Sequence, residues 1–552
     1  MKLSHALALA QSHLLAGRQA ETEAVCRAVL EVEPQDAEAH RLLGLVAYYR
    51  LDFPRSVSLL ERAAELRPDW AVCSDNLSFV LKAMGRFEEA EAAARRALAI
   101  SPDDPGALCN LAAALQAEGQ LDEAGRYFRQ SLAAAPDQPT IRSCALVCQQ
   151  YQPGVTLEAL AAAHAEWDRR HAAPLAAAWR RHENAPDPER PLRIGFVSPD
   201  FGAHPVGYFL EGVLENLDRQ AWHTLCYSDR LKIDEMTARL QAAAGAWHDV
   251  RGVSDEELAE RIRRDRVDIL FDLAGHTAGN RLLVFARKPA PIQVTWLGYV
   301  GTTGLAAIDY LLADRHQVPD GGQRFYRERV LCMPEGYVCY LPPAEAPEVG
   351  PLPAAQSGRV TFASFNNPAK VNREVAAAWS AILRRVAGSR QILKYCGFCA
   401  AKTHGRFVEM FAAHGIGPSQ LELQDWSSRR ELLALYNEVD LALDPFPYGG
   451  GLTTCEALWM GVPVITCPGQ TFGSRHSLSH LSSVGLTDTI ACDVDHYVAL
   501  AAEWAGDLRR LAAVRAGLRA QMAASPLCDA RRLAGDFAAL LRGVWRQWCR
   551  QA

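Results

Sequence analysis

The chain has no apolar run approaching the ~20 residues that a bilayer-spanning helix requires. That argues against a membrane-embedded protein. Met1 to Leu15 is apolar only in patches, broken by His5, Gln11, Ser12 and His13. This segment therefore reads as a first repeat helix rather than a secretory leader. Positive charge is not in excess: 58 Lys and Arg against 64 Asp and Glu leave a net charge of -6. A general electrostatic grip on nucleic acid needs a basic face, which this balance does not supply. No tight Asp-x-Asp or His/Cys cluster is read that would offer a site to a divalent ion. The 15 cysteines follow no framework spacing, which fits free thiols in a reducing cytoplasm rather than a secreted disulfide scaffold. One Cys-x-x-Cys, Cys396 to Cys399, has no second pair to complete a zinc site and reads as two ordinary thiols.

What is present is a ruler of prolines. Pro34, Pro68, Pro102 and Pro136 recur every 34 residues. Gly17, Gly85 and Gly119 keep one phase of that period, with Leu51 as the exception, and Ala90 and Ala124 keep another. A 34-residue unit of two helices closed by proline is the tetratricopeptide repeat. Such units bury their apolar faces only by stacking into a solenoid with a concave binding face. Four units end near residue 138. Residues 139–174 stay helical in pattern and read as a cap on the last unit, and 175–190 read as a linker.

From Pro191 short apolar runs alternate with amphipathic stretches. Leu192–Val197, His223–Tyr227, Val267–Leu273 and Gln293–Trp296 read as strands, and Asp255–Arg264 as a helix. After a second linker, Leu341 to Arg359, the pattern restarts with Thr361–Phe365, Gln391–Tyr395, Leu421–Leu423, Asp440–Leu443 and Val464–Thr466. The expected architecture is an α-helical tetratricopeptide-repeat solenoid followed by two α/β Rossmann-like lobes. The boundaries read as 1–138 for the repeats, 139–190 for cap and linker, 191–345 for the first lobe, and 346–552 for the second lobe with a terminal helix. A ligand is expected outside the carboxyl ends of the strands.

The segment Asp444-Pro-Phe-Pro-Tyr-Gly-Gly-Gly-Leu-Thr-Thr-Cys-Glu456 leaves a strand and enters the helical run Cys455–Met460. Gly450 and Gly451 let backbone amides approach a ligand. Thr453 and Thr454 place hydroxyls beside the free N–H groups of a helix start, a phosphate site made without lysine. Glu456 is placed to accept hydrogen bonds from sugar hydroxyls.

These motifs carry a resemblance. DPFPYGGGLTTCEALWMGVPVIT and PGQTFGSRHSLSHL resemble the donor half of nucleocytoplasmic protein O-linked N-acetylglucosamine transferases and their bacterial relatives. RIGFVSPDFGAHPVGYF, DLAGHTAGNRL and RKPAPIQVTWLGYVGTTG resemble the acceptor half, and FNNPAKVN a donor-contacting loop. With the repeats, the resemblance covers nearly the whole chain. It implies a GT-B glycosyltransferase, UDP-N-acetylglucosamine as donor, inversion at the sugar carbon, no metal and no cofactor. The implied partners are a UDP-sugar and an acceptor protein or peptide held by repeats and cleft, with neither nucleic acid nor membrane. Plant-type protein O-fucosyltransferases, which use GDP-fucose, share many of the motifs. The Tyr448–Leu452 loop departs from the animal pattern and keeps that reading open. A repeat scaffold that binds a nucleotide sugar without turnover is the third reading.

The resemblance also implies roles. Lys370 would contact the diphosphate, where an ammonium stabilises charge that grows as the sugar bond breaks. Asn366 and Asn367 would lie near by, Asn367 standing where animal enzymes carry glutamine. Ser427 would offer main-chain groups to the base, and Arg429 falls where the family holds uracil or ribose. His204 matches a histidine facing the bond-forming region. As a neutral imidazole it could take the acceptor proton, and the alternatives are that it shapes the site or binds a phosphate. His276 is a second acceptor-side candidate, ordering its loop or relaying a proton with Asp272. Asn76 and Asn110, again 34 apart, would form a short ladder holding acceptor backbones. The equivalent position one repeat earlier is Leu42, and solvated amides are the alternative.

Overall fold

The computed structural model describes residues 3–551; residues 1, 2 and 552 lie outside it. Ten helices come first: α1 (Leu3–Leu15), α2 (Gln19–Val32), α3 (Ala37–Tyr49), α4 (Phe53–Leu66), α5 (Ala71–Ala83), α6 (Phe87–Ile100), α7 (Pro105–Ala117), α8 (Leu121–Ala134), α9 (Pro139–Tyr151) and α10 (Leu157–Trp167). Each ruler proline stands two residues beyond a second helix of a unit, where it cannot continue the helix. Between the helices of each unit the chain turns through a left-handed residue: Gly17, Leu51, Gly85 and Gly119 have φ of 70°, 62°, 75° and 80°. Leu51 thus adopts the same turn as the glycines despite its Cβ. Helices α9 and α10 form the expected cap, which runs on through a π-helical turn and a 3-10 turn to Ala178.

The first lobe carries β1 (Leu192–Ser198), β2 (Trp222–Ser228), β3 (Ala246–Asp249), β4 (Ile269–Asp272), β5 (Ile292–Thr295), β6 (Tyr310–Asp314) and β7 (Arg329–Met333). All pair in parallel, in the order β3-β2-β1-β4-β5-β6-β7. Its helices are α11 (Pro205–Asn216), α12 (Glu235–Ala243), α13 (Asp255–Arg264) and α14 (Leu282–Ala286). After the short α15 (Pro353–Ser357), the second lobe carries β8 (Thr361–Ser364), β9 (Arg390–Lys394), β10 (Leu421–Gln424), β11 (Leu441–Leu443) and β12 (Val464–Ile465). These are again parallel, in the order β10-β9-β8-β11-β12. Its helices are α16 (Arg373–Arg385), α17 (Ala401–Ala412), α18 (Arg429–Leu435), α19 (Leu452–Trp459), α20 (His476–Val484), α21 (Val494–Gly506) and α22 (Leu508–Ala523).

The last helix, α23 (Ala530–Cys549), corrects the boundary drawn from sequence. It follows the second lobe in the chain but packs on the first. Phe537 lies 5.3 Å from the rings of both Phe271 and Trp296, and Trp545 Nε1 donates to Asp187 O at 2.9 Å. Periodicity supplies an apolar face without naming the surface that covers it.

The repeats dock on both lobes. Gly85, in a repeat turn, approaches Cys396 so closely that a Cβ there would lie 2.5 Å from its Sγ. A Cβ on Gly119 would lie 2.7 Å from Pro368 O, in the second lobe's first loop. Charge reinforces the contact: Glu88 Oε1 accepts the Thr403 N–H at 2.8 Å, and Lys402 pairs with Glu91. On the other side the cap meets the first lobe, where Gln150 and His164 both bond Tyr299 OH, at 3.1 and 2.7 Å.

Candidate functional site

In an open parallel sheet, ligands bind where strand order reverses, beyond the carboxyl ends of the strands. In the second lobe that point lies between β8 and β11. Both motif loops leave it: Phe365–Lys370 follows β8, and Asp444–Gly451 follows β11. The glycine-rich loop is pinned from below. Asp444 Oδ1 accepts the Gly450 N–H at 2.6 Å, its Oδ2 accepts from Thr466 Oγ1 at 2.7 Å, and its carbonyl accepts from Tyr497 OH at 3.1 Å. Helix α19 starts at Leu452, three residues before the run expected from sequence, with Gly451 at its cap. The Thr454 and Cys455 amides turn back to Gly451 O at 3.2 and 3.4 Å, which leaves the Leu452 and Thr453 amides without an acceptor inside the helix.

Lys370 is brought to the same place. Its Nζ donates to Gly449 O at 2.7 Å and Asn366 Oδ1 at 3.1 Å, and lies 4.6 Å from the Tyr448 ring centroid. Thr453 Oγ1 donates to the same Asn366 Oδ1 at 3.2 Å. Lys370, Asn366, Thr453 and the glycine-rich loop thus form one cluster. Burial pulls the Lys370 ammonium from 10.5 to about 8, with Asp444 opposing. A half-buried ammonium bonded only to neutral oxygens is suited to an anionic partner.

Three residues of the two motifs face elsewhere. The Thr454 hydroxyl is buried, bonded to Ser477 Oγ at 2.8 Å and Gly450 O at 3.2 Å. Asn367 accepts from Ala369 N at 2.9 Å and starts the 3-10 turn that carries Lys370. Glu456 is buried, with its carboxylate turned to Arg429 at 3.5 Å rather than to open cleft. Burial raises it to about 7 although Arg429 opposes the shift. The Arg429 guanidinium lies over Tyr208 of α11, 4.0 Å from its ring centroid, and so spans the two lobes. Ser427 stands half-buried on the loop before α18.

The first lobe's reversal point lies between β1 and β4. Its loops carry His204 and His276, with different outcomes. His204 caps α11, one turn before Tyr208. Its Nδ1 accepts the Val206 N–H at 3.3 Å and lies 3.9 Å from Asp200 Oδ2. The surrounding cleft wall lowers its pKa, while Asp200 opposes. Its ring tip stays open to the cleft, the side chain being 43% exposed.

His276 corrects an expectation. It is buried between lobe and cap, not in the cleft. Its Nε2 donates to Thr303 O at 2.8 Å and its Nδ1 meets Ser143 Oγ at 3.0 Å. Desolvation holds it well below the ordinary histidine range. No relay joins it to Asp272, whose carboxylate is taken up by the Ala274 and Gly275 amides and Thr295 Oγ1. It is a neutral strut between cap and lobe.

The solenoid asparagines lie on α5 and α7, one repeat apart, and their amides are engaged. Asn76 Oδ1 accepts from Arg41 at 3.0 Å. Asn110 donates to Asp75 at 2.8 Å and accepts from Lys82 at 3.4 Å. Sequence reasoning missed Tyr151 at the end of α9, which stacks on Tyr448 at 4.7 Å and carries the cap to the glycine-rich loop. Among the described residues no group of three or more His, Cys, Asp and Glu side chains is arranged to hold a metal ion. One Asp-x-Asp triplet, Asp493 to Asp495, corrects the reading that the sequence has none; it starts α21, where Asp493 caps by accepting the His496 N–H at 2.7 Å.

Two parallel α/β lobes facing across a cleft, behind a helical repeat region, are the architecture of a GT-B glycosyltransferase. The description "Glycosyl transferase family 41" matches residues 156–340 and 353–537, and a tetratricopeptide-repeat description matches 81–144. The chain belongs to glycosyl transferase family 41. It is similar to a tomato (Solanum lycopersicum) protein named "Probable UDP-N-acetylglucosamine--peptide N-acetylglucosaminyltransferase SPINDLY". The two are 38% identical over 411 residues, 73% of this chain and 44% of that one. The Arabidopsis thaliana protein of the same description named SEC is 30% identical, over 65% of this chain and 37% of its own. The chain therefore spans less than half the length of these curated relatives. Among solved structures, a mutant of the Thermobaculum terrenum O-GlcNAc transferase superposes with a TM-score of 0.84 at 33% identity, covering 100% of this chain and 98% of that one.

Proposed function

We propose that the chain transfers N-acetylglucosamine from UDP-N-acetylglucosamine to Ser or Thr hydroxyls of proteins, with inversion and without a metal. The observation that carries the reading is the Lys370 ammonium held beside the start of α19 at the second lobe's reversal point. A diphosphate there meets helix amides, the Thr453 hydroxyl and one cation, which can answer leaving-group charge. The acceptor oxygen attacks the anomeric carbon, the bond from that carbon to the phosphate oxygen breaks, and UDP departs. His204 faces the acceptor side. Taking the hydroxyl proton on Nε2 requires the other tautomer, in which Nδ1 gives up the Val206 N–H and turns its own hydrogen towards Asp200. Arg429 and Ser427 would hold the nucleoside end. Asn76 and Asn110, with Arg41 and Asp75, would hold the acceptor backbone.

Free thiols throughout support placing this reaction in the cytoplasm. The Tyr448–Leu452 loop, which sets the Tyr448 ring against Lys370, supports a second reading with GDP-fucose as donor. One assay separates the two. The chain is given an acceptor-peptide library with each donor in turn, and the products are weighed. N-acetylhexosamine added from the UDP donor supports the first reading. Deoxyhexose added only from the GDP donor replaces it with the second, and no addition from either sinks both.

A further inference from the structure

The first helix of each unit ends on one phase of the repeat, at Leu15, Tyr49, Ala83, Ala117 and Tyr151. Two residues further on, the turns at Gly85 and Gly119 press on the second lobe at Cys396 and Pro368. That row of helix ends is therefore the edge that meets the catalytic region. Its last two members before the cap are alanines, and Ala117 leads into the Gly119 turn beneath the loop that carries Lys370. The cap helix α9 ends instead on a tyrosine, and its ring reaches further.

The Tyr151 ring stacks on the Tyr448 ring at 4.7 Å with 22° between their planes. The Lys370 Nζ lies 4.6 Å from the centroid of the same Tyr448 ring. Two neighbours set the place of that ring. One is Tyr151; the other is Gly473, where a Cβ would lie 3.2 Å from Tyr448 Cδ2. Gly473 O also accepts the Gly449 N–H at 2.9 Å, and Gly449 O in turn accepts from Lys370 Nζ at 2.7 Å. The residue before Tyr151, Gln150, donates to Tyr299 OH in the first lobe at 3.1 Å. The end of α9 is thus anchored on one lobe while its last ring rests on the other.

The repeats also hold the lysine loop directly. Ala369, the neighbour of Lys370, is 2% exposed and packs in one apolar cluster with Leu111, Leu115, Phe128 and Cys148 of the fourth repeat and cap. Tyr151 lies at the margin of that cluster. The ammonium is therefore met by a loop seated in the solenoid and by a ring seated on the cap.

We propose that Tyr151 is a positioning residue for transfer, which fixes the Tyr448 ring and through it holds the Lys370 ammonium in place for the departing diphosphate. The role rests on the donor-site reading through Lys370 alone, so it is the same for a uridine and a guanosine diphosphate. It makes the helical region part of the donor site as well as a holder of acceptors.

The test measures UDP binding by calorimetry, with GDP in parallel, on the whole chain as wild type, Tyr151→Leu, Lys370→Met and the double variant. Leucine keeps an apolar side chain in the cap but offers no ring to stack. Tyr151→Leu is expected to weaken nucleotide binding about threefold to tenfold, the size of one lost aromatic stack. In the Lys370→Met background the same change is expected to cost less than about twofold, because the group it acts on is gone. Tyr151→Phe keeps the ring and is expected to restore both affinity and transfer rate. Equal losses in the two backgrounds would overturn the proposal, and so would a phenylalanine variant no better than the leucine one or a leucine variant that binds like wild type. Lys370→Met that binds as tightly as wild type would defeat the donor-site reading itself, and this role with it.

Discussion

Replacing Lys370 by Met separates two consequences of one ammonium group. Burial lowers it from 10.5 to about 8. At about 1.4 kcal/mol per tenfold change, keeping it charged costs the folded chain about 3 kcal/mol near pH 7. The sign follows from the direction: a depressed lysine penalises folding fully below pH 8, and the penalty fades as pH rises towards 10.5. Methionine removes the penalty but leaves Gly449 O and Asn366 Oδ1 without their donor, a loss of about 1 kcal/mol. Partial exposure screens the charge further. The empty variant should therefore be about 1–2 kcal/mol more stable than wild type at pH 7, an advantage that shrinks above pH 8. The same group is the one charged donor placed to meet the departing diphosphate. Removing such a donor costs about 2.7–4 kcal/mol of transition-state stabilisation, a hundredfold to a thousandfold in rate. Thermal unfolding without nucleotide and initial transfer rates test both halves. A variant that melts lower than wild type at pH 7 refutes the charge-penalty argument, and one that transfers within tenfold of wild type refutes the catalytic role.

Further predictions follow from single positions. Glu118, buried against Glu91 with Lys402 opposing and Arg406 close by, is raised from 4.5 to about 7. Its contribution to stability is full below pH 4.5 and lost as pH rises through 7, so Glu118→Gln should gain on wild type by about 2–3 kcal/mol between pH 5 and pH 8 in denaturant titrations. A constant difference would contradict the assignment. Leu51→Gly relieves the left-handed turn and, after loss of the half-buried side chain, should stabilise the solenoid by about 0.5–1 kcal/mol, read as a raised denaturant midpoint. Transfer should persist in excess chelator; loss restored by added magnesium or manganese would show that the donor site has been misread. The Asn76→Ala, Asn110→Ala variant should lose transfer to whole-protein acceptors while retaining nucleotide binding, and unchanged protein transfer would move acceptor choice into the lobes.

The repeats and most strands were legible because their signals are local. Proline spacing fixed the units, and Asp255–Arg264 coincides with α13. Three strands were not read. Ala246–Asp249 is short, polar and at a sheet edge. Tyr310–Asp314 follows β5 without an intervening helix, which breaks the alternation that marks parallel strands. Arg329–Met333 lies at the opposite edge and is half exposed. In the site, Lys370, Asn366 and Thr453 converge because two loops leave adjacent strands at a reversal point, a relation that motif order carries. His276 was misplaced because its partner Ser143 lies 133 residues earlier, on a cap helix whose docking no local pattern encodes. Tyr151 and Tyr208 were missed for the same reason: each enters the site from another layer.

Calorimetric titration of the whole chain with UDP and with GDP, repeated on Lys370→Met, tests the central claim most directly. The account predicts one UDP site per chain, bound more tightly than GDP and weakened at least tenfold by the substitution. Equal UDP affinity in both proteins, or no binding of either nucleotide, would contradict it.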